Sequence, residues 1–124
     1  MIERAILAAG AIAMAAGVAL GAYAAHAGKD AVHPEAARLL LTAVQYHLVH
    51  GLGILAIGLA SRGDAAARRY AIAAALLLAG IVLFCGSLWY LALTGHSPGA
   101  VAPAGGLAFI AGWIAFAACV LLRR

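Results

Sequence analysis

The chain has 124 residues, 67% hydrophobic and 10% charged, with a formal charge of +4 and a mean hydropathy of +1.06, where a soluble domain carries about 25% charged residues. It reads as an all-α integral membrane protein, and its residues are used up by membrane spans: none remain for a soluble domain, a nucleotide site or a nucleic-acid-binding module. No Asp, Glu, Lys or Arg falls between Ala5 and Gly28, between Leu39 and Ser61, or in the 53 residues from Tyr70 to Leu122.

A helix crosses the hydrocarbon core with about 20 apolar residues, so these blocks hold four spans, roughly 4–25, 38–60, 67–93 and 101–122. Short connections predict antiparallel neighbours in one compact four-helix bundle, a single domain over residues 1–124. The first span ends in "AYAAHAG", which also suits a signal peptide. Its apolar run is longer than an h-region of about 7 to 15 residues, so a retained span is expected.

Helix one carries Gly10, Gly17, Gly21, Ala24 and Gly28 at spacings of 7, 4, 3 and 4, a single stripe on a 3.6-residue helix. In lipid, helices associate through close packing and interhelical hydrogen bonds, and small residues mark the seams. Another helix is therefore expected along this stripe, with Gly17 and Gly21 as a GxxxG pair. The loop "HAGKDAVHP" follows, with His26 and His33.

Pro34 suits the start of helix two, where its missing N–H costs nothing. Near the middle of that helix stand Gln45, Tyr46, His47 and His50. At 100° per residue Thr42, Tyr46, His50 and Gly53 fall within about 80° of one another, with Gln45 and His47 on opposite flanks. Counted from Arg38, His47 is about 14 Å deep and His50 about 18 Å deep. An ionisable side chain at such depth marks a site facing the bundle interior, and partners are expected on helices one and three, among them Ser87. The competing reading is a hydrogen-bonded lock between helices, worth about 0.6 kcal/mol on average and up to about 1.7.

Helix three brings Gly80, Cys85, Gly86 and Ser87, and helix four Gly105, Gly106 and Gly112. Gly86, Gly105, Gly106 and Gly112 are taken as packing positions with Gly17 and Gly21. Such small contact residues predict a narrow bundle, which counts against an aqueous pore through one chain. Cys85 and Cys119 fall about 12 Å and about 27 Å from the outer face, too far apart for a disulfide, whose Cα atoms lie within about 7 Å. Trp89, Tyr90 and Tyr23 suit an aromatic belt.

Arg4, Arg62, Arg68, Arg69, Arg123 and Arg124 collect on one side with Glu3 and Asp64, while Lys29 and Arg38 face Asp30 and Glu35 on the other. The positive-inside rule then puts both termini in the cytoplasm of a multi-pass inner (plasma) membrane protein. No carboxylate lies within a span, and "CGSLWY" lacks the context of a nucleophile elbow, so no enzyme is expected. No HExxH or paired CxxC motif is present. A soft set of Met14, His50 and Cys85 suits copper(I), and a histidine pair suits zinc or haem, yet the i, i+3 spacing of His47 and His50 permits shared ligation without demanding it.

"GAYAAH" at 21–26, "QYHLVHGLGIL" at 45–55, "GIVLFCGSLWYLAL" at 80–93 and "APAGGLAFIAGW" at 102–113 together resemble the small bacterial membrane proteins grouped as domain of unknown function 423, related to eukaryotic transmembrane protein 256. The resemblance covers nearly the whole chain. It implies a four-span bundle and places the family's recurring positions on Gly21, His26, Tyr46, His50, Phe84, Gly86, Ser87, Pro103, Gly105, Gly106, Gly112 and Trp113. The chain departs at Cys85, where the family carries serine, and at Trp89, where it carries tyrosine.

The resemblance names no chemistry, and two readings stay open. In one, the chain is a scaffold or accessory subunit that packs in the bilayer against itself or another membrane protein, with Tyr46, His50 and Ser87 as an internal lock. In the other, it binds a quinone, haem, lipid or copper through His26 and His50.

Overall fold

The computed structural model describes residues 1–30, 34–64 and 67–122, all of it helix and short connections. Of the residues singled out above, His33, Arg123 and Arg124 lie outside the described residues. The elements are α1 (Ile2–Asp30), α2 (Pro34–Ala60), α3 (Ala67–Gly80), a π-helical turn (Ile81–Cys85), α4 (Gly86–Thr94) and α5 (Val101–Leu121). Four stretches are long and apolar enough to cross a membrane, Ile2–His26, Glu35–Ala60, Ala67–Thr94 and Val101–Leu121. The third span thus consists of α3, the π turn and α4.

Helix ends follow the local chemistry. Pro34 opens α2, and Glu35 in its first turn favours the positive end of the helix dipole. Ser61, fully buried, donates its hydroxyl to the Gly58 carbonyl at the other end. Gly63 and Gly95 take left-handed φ of 72° after α2 and α4, and the Gly95 N–H returns to Leu91 O at 2.8 Å, a common helix stop.

The four spans make a rhombus rather than a square. The second and third spans hold its centre, with 50% and 39% of their most apolar windows buried, against 22% for the first and fourth. α1 runs along α2, α5 runs along α3 and the π turn, and α1 and α5 do not approach each other. Ala43, Ile54, Ile57, Tyr70, Ala73 and Leu77 form the most enclosed part of the core.

Glycines set the approach of the helices. A Cβ on Gly10 would strike Leu55, one on Gly17 would strike Leu48, and one on Gly21 would touch Val44. The predicted stripe of α1 therefore lies on α2. On the other side, Gly80 receives the Phe109 ring, Gly112 receives Leu77, and Gly105 lies against the backbone of Phe84 in the π turn. Knob and gap alternate across the α3–α5 seam, so each helix offers a large side chain opposite the other's glycine.

Gly86 and Gly106 depart from expectation: a Cβ at either would meet nothing within 4 Å. The π turn explains why. One extra residue in a helix turns everything beyond it by about 100°, so Gly86 is exposed while Ser87 is buried. Gly106 is one step off the Gly105–Phe109–Gly112 face that meets the third span.

Gly105→Ala is expected to lower stability by about 1 to 3 kcal/mol through overpacking against Phe84. Gly106→Ala is expected to be neutral or slightly stabilising, because alanine is the better helix former by up to about 1 kcal/mol. Unfolding in mixed micelles titrated with SDS checks both.

Candidate functional site

The polar residues of α2 divide between two faces. His47 is 7% exposed, and its Nε2 donates to the carbonyl of Ala13 on α1 at 2.9 Å. That carbonyl already accepts the N–H four residues on, at Gly17, in the helix ladder. A side chain at position 17 would cover it, but Gly17 has none, and a Cβ there would lie 3.1 Å from the His47 ring. The glycine that lets the helices approach therefore also bares a carbonyl for the histidine.

This corrects the predicted arrangement, in which His47 was a flank and the stripe of Thr42, Tyr46 and His50 faced helices one and three. The α2 face against α1 holds Val44, Leu48, Gly51, Leu55 and Gly58, at helical spacings of four and three, with His47 beside Leu48. Small residues at 51 and 58 were the legible signal for that face. Thr42 does not cross to a neighbour, for its hydroxyl donates to Arg38 O at 2.9 Å in its own helix.

His50 is 6% exposed and turns toward α5. Its Nδ1 donates to the Tyr46 carbonyl one turn back at 2.6 Å, and its ring stacks on Phe109 with centroids 3.5 Å apart and planes 18° apart. Tyr46 lies 4.8 Å from Phe84 between ring centroids, and His50 lies 6.1 Å from Trp113. The histidine thus sits in an aromatic wall contributed by α2, the π turn and α5. Phe109 is the wall residue that sequence reasoning missed; it stands inside "APAGGLAFIAGW" but carries no polar group to draw notice.

Beside this wall is a cleft of about 210 Å³ lined by Gln45, Tyr46, Val49 and His50. Tyr46 and Val49 are 41% and 51% exposed, so the cleft opens sideways from the bundle at mid-span. Gln45 is exposed as well.

Ser87 and His26 do not join His50. The Ser87 hydroxyl bonds to the Leu83 carbonyl in the π turn of its own span, and the exposed His26 ring bonds Ala22 O at 2.8 Å within α1. Of His26, Tyr46, His50 and Ser87, only His50 and the Tyr46 backbone carbonyl are therefore joined by a hydrogen bond, and no bond between their side chains links the four among the described residues. The two imidazoles and the serine hydroxyl each satisfy a carbonyl one turn back in their own span, the local bond that short polar side chains favour in helices. Met14 packs over Gly51, and Cys85 and Cys119 are buried and free. Among the described residues no group of three His, Cys, Asp or Glu converges in a metal-holding arrangement.

Comparison with known proteins places this geometry in a family context. A family model described as "Protein of unknown function (DUF423)" matches residues 20–106, a stretch that includes His26, Gln45, Tyr46, His50 and Ser87. The chain is 39% identical to the UPF0382 membrane protein YwdK of Bacillus subtilis over 106 residues, covering 85% of this chain and 86% of that protein. It is 35% identical to a UPF0382 membrane protein of Haemophilus influenzae, over 81% of this chain and 80% of the relative. It is 37% identical to the UPF0382 inner membrane protein YgdD of Escherichia coli, over 77% and 73%. No solved structure matches the chain significantly.

The two histidines are expected to separate in a stability assay. His47→Leu removes the bond between helices and lowers stability by about 0.6 to 1.7 kcal/mol, whereas His50→Phe, which keeps a flat ring on Phe109, costs less. SDS titration with circular dichroism as readout tests the order, and a larger loss from His50→Phe would reverse the assignment.

Proposed function

The chain belongs to the family described as Protein of unknown function (DUF423), and we propose that it is a non-catalytic scaffold or accessory subunit of the bilayer, associating with a second copy of itself or with another membrane protein. It is a multi-pass inner membrane protein, with four candidate spans and relatives named as membrane and inner membrane proteins.

The observation that carries the scaffold reading is Gln45. It lies ten residues into the second span, about 15 Å along the helix, exposed on the outer surface of the bundle and with no hydrogen bond to the described residues. A polar group left unpaired in hydrocarbon costs several kcal/mol. A carboxamide both donates and accepts, so a helix from another chain satisfies it where lipid cannot. The open surface at Gly86 and Gly106 supports the same reading, because small residues allow a neighbouring helix to come close. We propose that both termini face the cytoplasm, a reading supported by the arginines at 62, 68 and 69 under the positive-inside rule.

A second reading, a binder of a small hydrophobic molecule, is favoured by one observation: the cleft beside His50 holds an imidazole whose Nε2 has no partner among the described residues.

Native mass spectrometry after gentle extraction is expected to show a whole multiple of the 12.4 kDa chain or the chain with a second polypeptide. Gln45→Leu is expected to weaken that association about 3-fold to 20-fold, the equivalent of one interhelical hydrogen bond. A wild-type chain that is monomeric under all extraction conditions, or an assembly indifferent to Gln45→Leu, would remove the basis of the scaffold reading. For topology, a reporter protein that fluoresces only in the cytoplasm is expected to light up when fused at residue 124.

A further inference from the structure

The His50 ring has its two nitrogens assigned by geometry. Nδ1 faces the Tyr46 carbonyl at 2.6 Å and must carry the proton to donate there, so in the neutral ring Nε2 bears a lone pair and only accepts. No donor among the described residues meets Nε2. It also keeps accessible surface, since among those residues the one buried side-chain N or O atom without a partner is Trp89 Nε1. The cleft beside it thus presents a lone acceptor at mid-membrane depth, where no water is at hand to supply the missing donor.

The surroundings narrow what the donor is attached to. The cleft of about 210 Å³ is smaller than the roughly 300 to 1,000 Å³ of sites that enclose a drug-sized molecule. Its volume suits a single ring, with the rest of a ligand left outside its open side. The rings that line it are Tyr46 and His50, backed by Phe84 at 4.8 Å from Tyr46 and by Phe109 and Trp113 at 3.5 Å and 6.1 Å from His50, and aromatic groups prefer stacked or tilted partners. Tyr46 and Val49 open the cleft to lipid, so an apolar tail leaves it directly among acyl chains. With no converging third donor, the histidine offers one hydrogen bond and no metal cage.

We infer that this cleft binds the ring head of a lipophilic phenol or hydroquinone, whose hydroxyl donates to His50 Nε2 while its tail lies in the bilayer. The inference rests on the ligand-binding reading above and specifies its ligand class. It carries a selectivity: the oxidised quinone offers only carbonyl oxygens, which cannot bond to a lone-pair acceptor. The Gln45 carboxamide and the Tyr46 hydroxyl, also in the lining, each donate and accept and so suit either form; discrimination comes from His50.

The test uses the full chain in lipid nanodiscs, with a decyl-tailed hydroquinone and the matching quinone as probes under reducing and oxidising conditions, and binding measured by equilibrium dialysis. The hydroquinone is expected to bind about tenfold more tightly, the worth of one hydrogen bond, and the preference is expected to vanish in His50→Phe. Nitrogen-15 spectra of histidine-labelled wild-type protein give a second readout: the hydroquinone shifts the His50 Nε2 resonance and the quinone does not. Equal binding of both probes, or a preference kept in His50→Phe, overturns the inference. Binding of haem, copper(I) or phospholipid with neither probe overturns the ligand class and leaves the binding reading intact. A wild-type protein that takes up none of these defeats both.

Discussion

Inside a bilayer a helix gains nothing by hiding leucine from lipid, so the structure depends on how closely two backbones can approach. Gly10, Gly17 and Gly21 let α1 settle on α2, and Gly80, Gly105 and Gly112 do the same for α5 and the third span. At Gly105 the fit leaves least room to adjust, because a β-carbon there would fall on the backbone of the π turn rather than on a side chain. The rhombus follows from this: two pairs of helices are sealed by glycine, and the pairs join through α2 and α3 at the centre. The outer helices keep most of their surface for lipid or for another protein.

Polar groups are arranged around the same constraint. A hydrocarbon interior leaves each hydroxyl or imidazole the choice of a nearby carbonyl or a neighbouring helix. Thr42, Ser87, His26 and His50 take a carbonyl in their own span. His47 alone of this set crosses to another helix, and it does so where Gly17 leaves the Ala13 carbonyl bare. Packing and hydrogen bonding are therefore one feature at that point. A residue that looked peripheral in helical projection turns out to join α1 to α2.

Around Gln45 and His50 the economy of the fold stops. The first is a donor and acceptor exposed at mid-span, and the second a lone-pair acceptor at the edge of an aromatic wall. Both line one lateral cleft, a carboxamide suited to another helix or to a ligand of either polarity and an imidazole suited to a hydroxylated ring. The π turn contributes here too, since it carries Phe84 to the Tyr46 side of the wall and brings the Leu83 carbonyl to Ser87. π turns inside α-helices recur at functional positions, and Phe84 of this one packs against Tyr46, which lines the cleft.

The four spans, their boundaries to within a few residues and the glycine face of α1 were legible in the sequence, because charge-free length and helical spacing are properties of a single helix. Hydropathy also identified α2 as the polar span. What projection cannot supply is the rotation of each helix against its neighbours. That angle is decided jointly by the gaps on both partners, and it put His47 rather than Thr42 against α1 and Phe109 rather than Gly106 against the third span. The π turn added a shift of about 100° that no period of 3.6 reveals, turning Gly86 outward and Ser87 inward. Hydropathy, charge and helical spacing suffice for a four-span membrane protein with polar residues at mid-depth. Only the packed helices decided which of those residues fasten the bundle and which remain open, because facing is a relation between helices and the sequence pattern describes one helix at a time.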